Sequence, residues 1–310
     1  MTIRFDDRVA IVTGAGQGLG RCYALDLASR GAKVIVNDLG GNLAGSGSDA
    51  SLAQKVVDEI RAAGGEATAN GDSVSDREGA ARIVDAALDT YGRLDVLINN
   101  AGILRDKMFT RMALDDFDAV VDVHLLGAAY VTRAAFPAMR KQGYGRIVMT
   151  TSAAGLYGNL GQSNYAAAKL GVVGLMNSLK IEGKKSNIKV NTVAPVADTR
   201  MGAKVFPDFF KQMIRPEYVA AAVAYLASEG CTVSGDILVT AAGYFAKVQL
   251  VEGEGLAFAP DEQVTAETVA ERYGEIADMS QAQPHETAMD AMKSLFAKVA
   301  PEDLIERTTT

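Results

Sequence analysis

Tryptophan is absent from this 310-residue chain, cysteine and histidine occur twice each, and proline seven times. The two cysteines, Cys22 and Cys231, lie far apart and form no C-x-x-C pair, which excludes a disulfide framework and a cysteine zinc site and points to a reducing compartment. No metal site is expected, because the two histidines, His124 and His285, share no ligand spacing with each other or with a cysteine or carboxylate. Basic residues are outnumbered, 31 to 38, for a formal charge of -7. That balance argues against a nucleic-acid partner, whose phosphates call for a basic stripe. No apolar run reaches bilayer length, so no membrane partner is expected. The amino terminus lacks the pattern of a signal peptide and the carboxyl end "ERTTT" is not a Ser-Lys-Leu tripeptide, so the expected location is cytoplasmic.

What is present is ordinary for a folded protein: 48% hydrophobic and 22% charged residues. Short β-branched runs at 9–13, 33–38, 66–70, 94–100, 145–152 and 188–195 alternate with amphipathic stretches of helical length at 18–30, 51–63, 76–91 and 163–185. Nearly all-apolar strands separated by helices imply an α/β fold, a Rossmann-like doubly wound parallel sheet. Ligands of such sheets bind outside the carboxyl ends of the strands. Residues 39–51, "LGGNLAGSGSDAS", read as a glycine- and serine-rich insertion after the second strand. The alternation stops near residue 243, and a mixed stretch is followed by helical patterns at 265–279 and 286–299. Two domains are expected, 1–245 and a mostly helical extension, 246–310. The extension holds 13 acidic and 5 basic residues, so the acidity of the chain resides there.

"VAIVTGAGQGLGRCYAL" reads as strand, turn and helix start. Gly14, Gly18 and Gly20 follow T-G-x-x-x-G-x-G, with Gly16 in addition. Glycine lets the backbone turn tightly and approach a pyrophosphate, and the helix amino terminus then offers its free N–H groups. The spacing differs from the G-x-G-x-x-G of other dinucleotide folds, and a glycine turn alone is a weak signal. Asp38 ends the second strand where a carboxylate would accept ribose hydroxyls and repel a 2'-phosphate, which favours NAD over NADP. "GDSV" (Asp72, Ser73, Val74) and "NNAG" (Asn99, Asn100, Ala101, Gly102) follow the third and fourth strands, where adenine and ribose would lie. Turn chemistry explains these residues equally simply, and for Asp72 the two readings are balanced.

"TTSAAGLYGNLGQSNYAAAKLG" carries Ser152 at a strand end, Tyr165 thirteen residues on, and Lys169 one turn further along the same helix face. A phenol beside a fixed cation can serve as an acid–base group near neutral pH, with Ser152 bonding the same substrate oxygen. Each residue by itself has a plain structural explanation. Ser152 as a hydrolase nucleophile is disfavoured because G-x-S-x-G is missing.

Taken together, the glycine turn, "NNAG" and Ser with Y-x-x-x-K resemble the short-chain dehydrogenase/reductase family over about residues 6–245. Within it, "VIVNDLGG" with its insertion, the long segment from "HLLGAAYVT" to "NYAAAKLG", "EGKKSNIKVNTVAP" and the tail resemble the dehydrogenase units of multifunctional enzymes of fatty acid β-oxidation. That resemblance implies NAD-dependent oxidation of (3R)-3-hydroxyacyl-CoA, with 17β-hydroxysteroids as further substrates of relatives. It assigns catalysis to Ser152, Tyr165 and Lys169. It assigns cofactor contacts to Gly14, Gly16, Gln17, Gly18, Leu19, Gly20, Asp38, Asp72, Ser73, Val74, Asn100, Ala101, Gly102, Tyr165, Lys169 and Pro195. It also implies a homodimer, or two dimers paired as a tetramer, with helices at about 122–142 and 163–185 across the two-fold and the extension enclosing the acyl pocket or the dimer interface.

Two positions depart from the family. Val196 replaces the glycine of the usual Pro-Gly, which puts in doubt the path from Pro195 to Thr199. The fourth position of the catalytic tetrad, ordinarily Asn, is His124, which sits in "VDVHLLGAAYVT". The family takes from it mainly a backbone carbonyl at a local disturbance in the helix, so His124 is expected behind Lys169 and not as the base. A 3-oxoacyl-carrier-protein reductase is a competing expectation, weakened by Asp38, and so is a dinucleotide-binding regulator, weakened by the presence of both Tyr165 and Lys169. For the phosphates of a CoA ester, Arg105, Lys107, Arg111, Arg200 and Lys204 are the candidate cations.

Overall fold

The computed structural model describes residues 2–197, 212–259 and 261–299; Thr199, Arg200 and Lys204 therefore lie outside the described residues. The chain divides into two compact units, residues 1–248 and 249–310.

The first unit is built on one sheet of eight strands: β1 (Val9–Thr13), β2 (Lys33–Asn37), β3 (Glu66–Asn70), β4 (Val96–Asn99), β5 (Gly145–Thr150), β6 (Ile188–Val196), β7 (Ile237–Ala241) and β8 (Tyr244–Val248). Their order is β3-β2-β1-β4-β5-β6-β7-β8. All neighbours run parallel except the β7–β8 pair. The helices are α1 (Gly18–Ser29), α2 (Ser51–Ala62), α3 (Arg77–Tyr91), α4 (Leu114–Val121), α5 (Gly127–Gln142), α6 (Ala153–Tyr157), α7 (Ser163–Gly183) and α8 (Pro216–Ala227).

Period-two alternation along the strands feeds two cores. Ala10 and Val12 of β1 join Val34 and Val36 of β2 beneath α1, α2 and α8. Val9 and Ile11 face the opposite way, beneath α3, α5 and α7, with Ile35, Leu97 and Ile147. Both faces of a parallel sheet are thereby buried, which is why these strands read as continuous apolar runs. One buried polar group ties the sheet at the end opposite the cleft. The Asp95 carboxylate, fully buried, accepts hydrogen bonds from the Val9 amide, Arg8 and Arg93, so the starts of β1 and β4 share one charge cluster.

The strands expected up to residue 196 and the helices expected at 18–30, 51–63, 76–91 and 163–185 match to within about two residues, whereas the helix expected at about 122–142 already begins at Leu114. β8 falls where the sequence shows only a mixed stretch, because "YFAKV" lacks alternation; it forms through a two-residue turn at Ala242 and Gly243, both with positive φ (50° and 79°), that folds it back on β7. Leu114–Gln142 is a continuous helix and, among the described residues, the one helix long and apolar enough by composition to cross a membrane. This differs from the expectation that no stretch qualifies. The helix carries Asp115, Asp116 and Asp118 in its first turns, and buries Val120, Val131, Ala135 and Met139 against the sheet and its neighbours. Its apolarity therefore belongs to the core.

The second unit holds α9 (Ala266–Glu271), α10 (Tyr273–Ile276) and α11 (Ala288–Val299). Thr265 caps α9 in a reciprocal capping box with Thr268. The single helix expected over 265–279 is thus interrupted at Arg272. Backbone bonds between Glu252 and Gln283 join the unit's two halves, and His285 lies 3.8 Å from the Glu252 carboxylate.

Candidate active site

From β1 the chain proceeds outward to β2 and β3, then returns to β4 on the other side of β1. The carboxyl ends of β1 and β4 therefore flank the crevice where the direction of winding reverses. There the turn after β1 is locked to the end of β4. The Asn100 side chain donates to the carbonyls of Thr13 and Gly14 (2.9 and 3.1 Å), and Thr13 Oγ1 accepts the amides of Asn100 and Ala101. Gly14 has φ of +63°, and a Cβ on Gly20 would sit 2.2 Å from the Gly14 carbonyl oxygen. These two glycines are required by backbone geometry and close approach, as the sequence spacing predicts.

A cleft of about 240 Å³ opens at this point. Gly14, Gln17, Gly18, Leu19, Gly20, Asp38, Asp72, Ser73, Val74, Asn100, Ala101 and Gly102 line it. Gly16 lies just behind, its amide donating to Asp38 Oδ2 at 2.7 Å, while Gly40 donates to Oδ1 at 2.7 Å. Asp38 thus holds a fixed position at the cleft wall. The amino terminus of α1 has no side-chain cap, in contrast to α3 and α6, which are capped by Asp76 and Ser152. Uncapped amides, a close-approach glycine turn and a fixed carboxylate at the end of β2 fit a dinucleotide: amides for its phosphates, Asp38 for a ribose. Asp72 lines the cleft, but its carboxylate bonds Arg82 and Asn70 (2.7 and 2.8 Å), so turn and charge chemistry account for its side chain.

Ser152, Tyr165 and Lys169 come together at the ends of β5 and α7. Ser152 is the extended N-cap of α6. Burial pushes the Tyr165 phenol up to about 12, opposed by a hydrogen bond from Ser152, with Asp106 raising it further. Lys169 is buried; its Nζ donates to the Thr150 carbonyl at 2.7 Å and lies 5.5 Å from the centre of the Tyr165 ring. Loss of water around the ammonium brings its pKa down to about 7. Proximity of Tyr165 and Lys169 is as expected, but the group that favours the phenolate here is Ser152. Burial works against a charge on either Tyr165 or Lys169. Pro195 lies near the end of β6, and it, Tyr165 and Lys169 fall outside the lining of the 240 Å³ cleft.

His124 is 4% exposed and occupies a single π-helical turn, Asp122–Leu126, between α4 and α5. This is the local disturbance expected at that position. Nε2 lies 3.0 Å from the Ile103 amide and 2.8 Å from its carbonyl, and the ring meets Tyr165 edge-on at 5.0 Å. Burial, followed by the charge of Lys169, lowers the imidazole pKa far below its usual value, so it is neutral. A buried ring of strongly lowered basicity that holds the segment after "NNAG" at Ile103 is not poised as a base. A Cβ on Gly102 would fall 2.3 Å from the ring, so glycine there makes room for the histidine. Lys169 and His124 also border a cavity of about 10 Å³ with Asn99 and Thr150. His124 Nδ1, Asn99 Oδ1 and Thr150 Oγ1, all buried, have no protein partner. The space matches one water molecule with several polar neighbours.

Several residues at the site carry no motif. Leu39, Asn42 and Leu43 of the glycine-rich insertion, with Ile103, complete the cleft wall. Asn164, fully buried beside Tyr165, accepts the Tyr165 amide and donates to the carbonyls of Arg105 and Asp116. Arg105, a candidate cation for CoA phosphates, is engaged by Ala44 and Asp116, whereas Lys107 and Arg111 are exposed. Contacts across dozens of residues leave no spacing signature.

Fold and cleft define a doubly wound α/β protein whose cleft fits a dinucleotide. Residues 8–208 match the family model described as short chain dehydrogenase. The chain is 50% identical over 290 residues to peroxisomal multifunctional enzyme type 2 of Mus musculus, covering 93% of this chain and 39% of the mouse protein. The solved full-length enzyme of the same name from Drosophila melanogaster superposes with a TM-score of 0.81 at 41% identity, over 95% of this chain and 50% of that one. A 7α-hydroxysteroid dehydrogenase solved with NADH and 7-oxo glycochenodeoxycholic acid gives a TM-score of 0.70 at 30% identity, over 77% and 95%. The chain belongs to the short-chain dehydrogenase/reductase family, an oxidoreductase of CH–OH groups that uses a nicotinamide cofactor. It spans half or less of the two multifunctional relatives.

Proposed function

We propose that the chain oxidises the hydroxyl of (3R)-3-hydroxyacyl-CoA to the 3-oxo thioester with NAD, as part of fatty acid β-oxidation. The observation that carries the reading is the cluster of Ser152, Tyr165 and Lys169 beside a cleft whose wall is closed by the Asp38 carboxylate. Similarity over nearly the whole chain to the mouse multifunctional enzyme supports the substrate class. Asp38 would accept the ribose hydroxyls and exclude a 2'-phosphate.

In this reading Ser152 orients the substrate hydroxyl and Tyr165 takes its proton as the C3–H bond breaks. Bound nicotinamide supplies the acceptor for the C3 hydride. The Ser152 hydrogen bond offsets part of the burial that raises the phenol to about 12. Lys169 anchors to the Thr150 carbonyl at the inner end of the site, and His124 holds Ile103 while bordering the 10 Å³ cavity behind Lys169, on a route by which the proton can leave. Homodimers, singly or in pairs, are part of the proposal. A hydroxysteroid is the second reading, favoured by the similarity to the 7α-hydroxysteroid dehydrogenase.

The test is NADH formation with matched R and S 3-hydroxyacyl-CoA thioesters of several chain lengths, with a 17β-hydroxysteroid alongside. Turnover of R thioesters alone is expected; turnover confined to the steroid would sink the substrate assignment.

A further inference from the structure

We propose that Arg105 is a positioning residue that clasps the glycine- and serine-rich loop of residues 39–49 over the dinucleotide cleft. The inference rests on the reading of that cleft as the cofactor site.

The loop is folded upon itself. Its ends meet where the Asp49 amide donates to the Leu39 carbonyl, and Asn42 Oδ1 accepts the amides of Ala44 and Ser46. A compact loop of this kind behaves as one body and not as a loose tether. It supplies Leu39, Asn42 and Leu43 to the cleft wall, and begins directly after Asp38. Yet it has little apolar anchorage of its own: residues 44–50 are mostly exposed, and Gly45 rests against the Ile103 side chain.

Two hydrogen bonds tie its tip to the segment after β4. The Leu104 amide donates to the Leu43 carbonyl at 2.9 Å, and Arg105 Nε donates to the Ala44 carbonyl at 2.8 Å. The far side of the same guanidinium donates to Asp116 Oδ1 of α4 at 3.1 Å, and the Arg105 carbonyl accepts from buried Asn164. Arg105 is therefore braced against the rigid part of the site on one side and holds the loop on the other. A planar fork reaches two acceptors in different directions at once, which a lysine ammonium on a single stem does less well. The loop is held at its tip, close to the wall it provides, so releasing the tip opens the cleft without disturbing the sheet.

The test compares full-length wild type with Arg105→Ala and Arg105→Lys. NADH affinity is read from nicotinamide fluorescence, amide exchange over residues 40–48 with and without NADH, and KM for NAD against kcat. In the wild type, NADH is expected to protect the 40–48 amides. Arg105→Ala is expected to abolish that protection and raise the NADH Kd about tenfold, the effect of losing one charge-assisted hydrogen bond. KM for NAD rises with it, while kcat and the thermal midpoint of the ligand-free protein change little; Arg105→Lys falls between. A purely structural role would instead lower the thermal midpoint and leave KM alone. An unchanged NADH Kd in Arg105→Ala, or 40–48 amides indifferent to NADH in a wild type that binds it, overturns the clasp and leaves the proposed function standing. A wild type that binds no NADH overturns both. Should Arg105→Ala fail to fold, Asp116→Ala removes the brace of the guanidinium with Arg105 and the loop sequence intact; a rise in NADH Kd together with lost protection of the 40–48 amides supports the clasp, and an unchanged Kd overturns it.

Discussion

Replacing Lys169 by methionine keeps an unbranched apolar stem and removes the ammonium, and it is expected to stabilise the folded protein while ending turnover. Lys169 is 3% exposed, and burial brings its pKa from 10.5 to about 7. At about 1.36 kcal/mol per pH unit, a charge at this position opposes folding by about 5 kcal/mol at pH well below 7. The sign follows from proton counting. Between the two pKa values the unfolded chain binds more protons than the folded one, so wild-type stability rises with pH from about 7 to about 10.5. The methionine variant lacks this dependence. Loss of the Nζ bond to the Thr150 carbonyl offsets about 1–3 kcal/mol at every pH. The variant's advantage is therefore expected to be larger at about pH 6 than at about pH 9 by about 3 kcal/mol. Urea unfolding of ligand-free wild type and variant at those two pH values measures it. The same difference at both would refute the claim that a buried ammonium of lowered pKa sits at this position.

Tyr165→Phe is expected to reduce kcat by about 10²–10⁴-fold with NADH binding retained, since the proton acceptor is lost and the cleft is not. His124→Ala should cost less than Tyr165→Phe, and equal losses in steady-state kinetics would make the imidazole an essential participant. Asp38→Ser is expected to shift the ratio of NADPH to NADH affinity by at least about tenfold toward NADPH, by removing the carboxylate that repels a 2'-phosphate; an unchanged ratio in paired titrations would remove Asp38 from cofactor choice. Asp95→Ala leaves Arg8, Arg93 and the Val9 amide without their shared acceptor far from the cleft. A loss of about 3–5 kcal/mol in urea unfolding is expected, with KM for NAD unchanged.

Signals that are local in the chain are legible in the amino-acid order itself. The alternation of apolar runs and helical faces, the Gly14 and Gly20 spacing, Asp38 at the end of β2, and Tyr165 one turn before Lys169 each depend on neighbours within one element or one turn. Short-range geometry is the same wherever such a pattern occurs, so the pattern carries it. The antiparallel β8, the docking of residues 39–49 and the grip of Arg105 and Asn164 leave no trace of this kind. They are made by hydrogen bonds between residues about 10 to 60 positions apart, or by one turn whose positive φ at Ala242 local composition does not favour.

His124 shows where the boundary falls. Its place in an apolar helix and its tetrad position are evident from the chain, but not its charge or its contacts. Those follow from burial beside Lys169 and from Ile103, brought against the ring by the return of the chain through β4. The same holds for the two titrating groups of the site. Composition and spacing put a phenol and an amine on one helix face. The enclosure that moves one up to about 12 and the other down to about 7 comes from the sheet, α6 and α5 closing around them, because desolvation is a property of the assembled volume and of no segment taken singly.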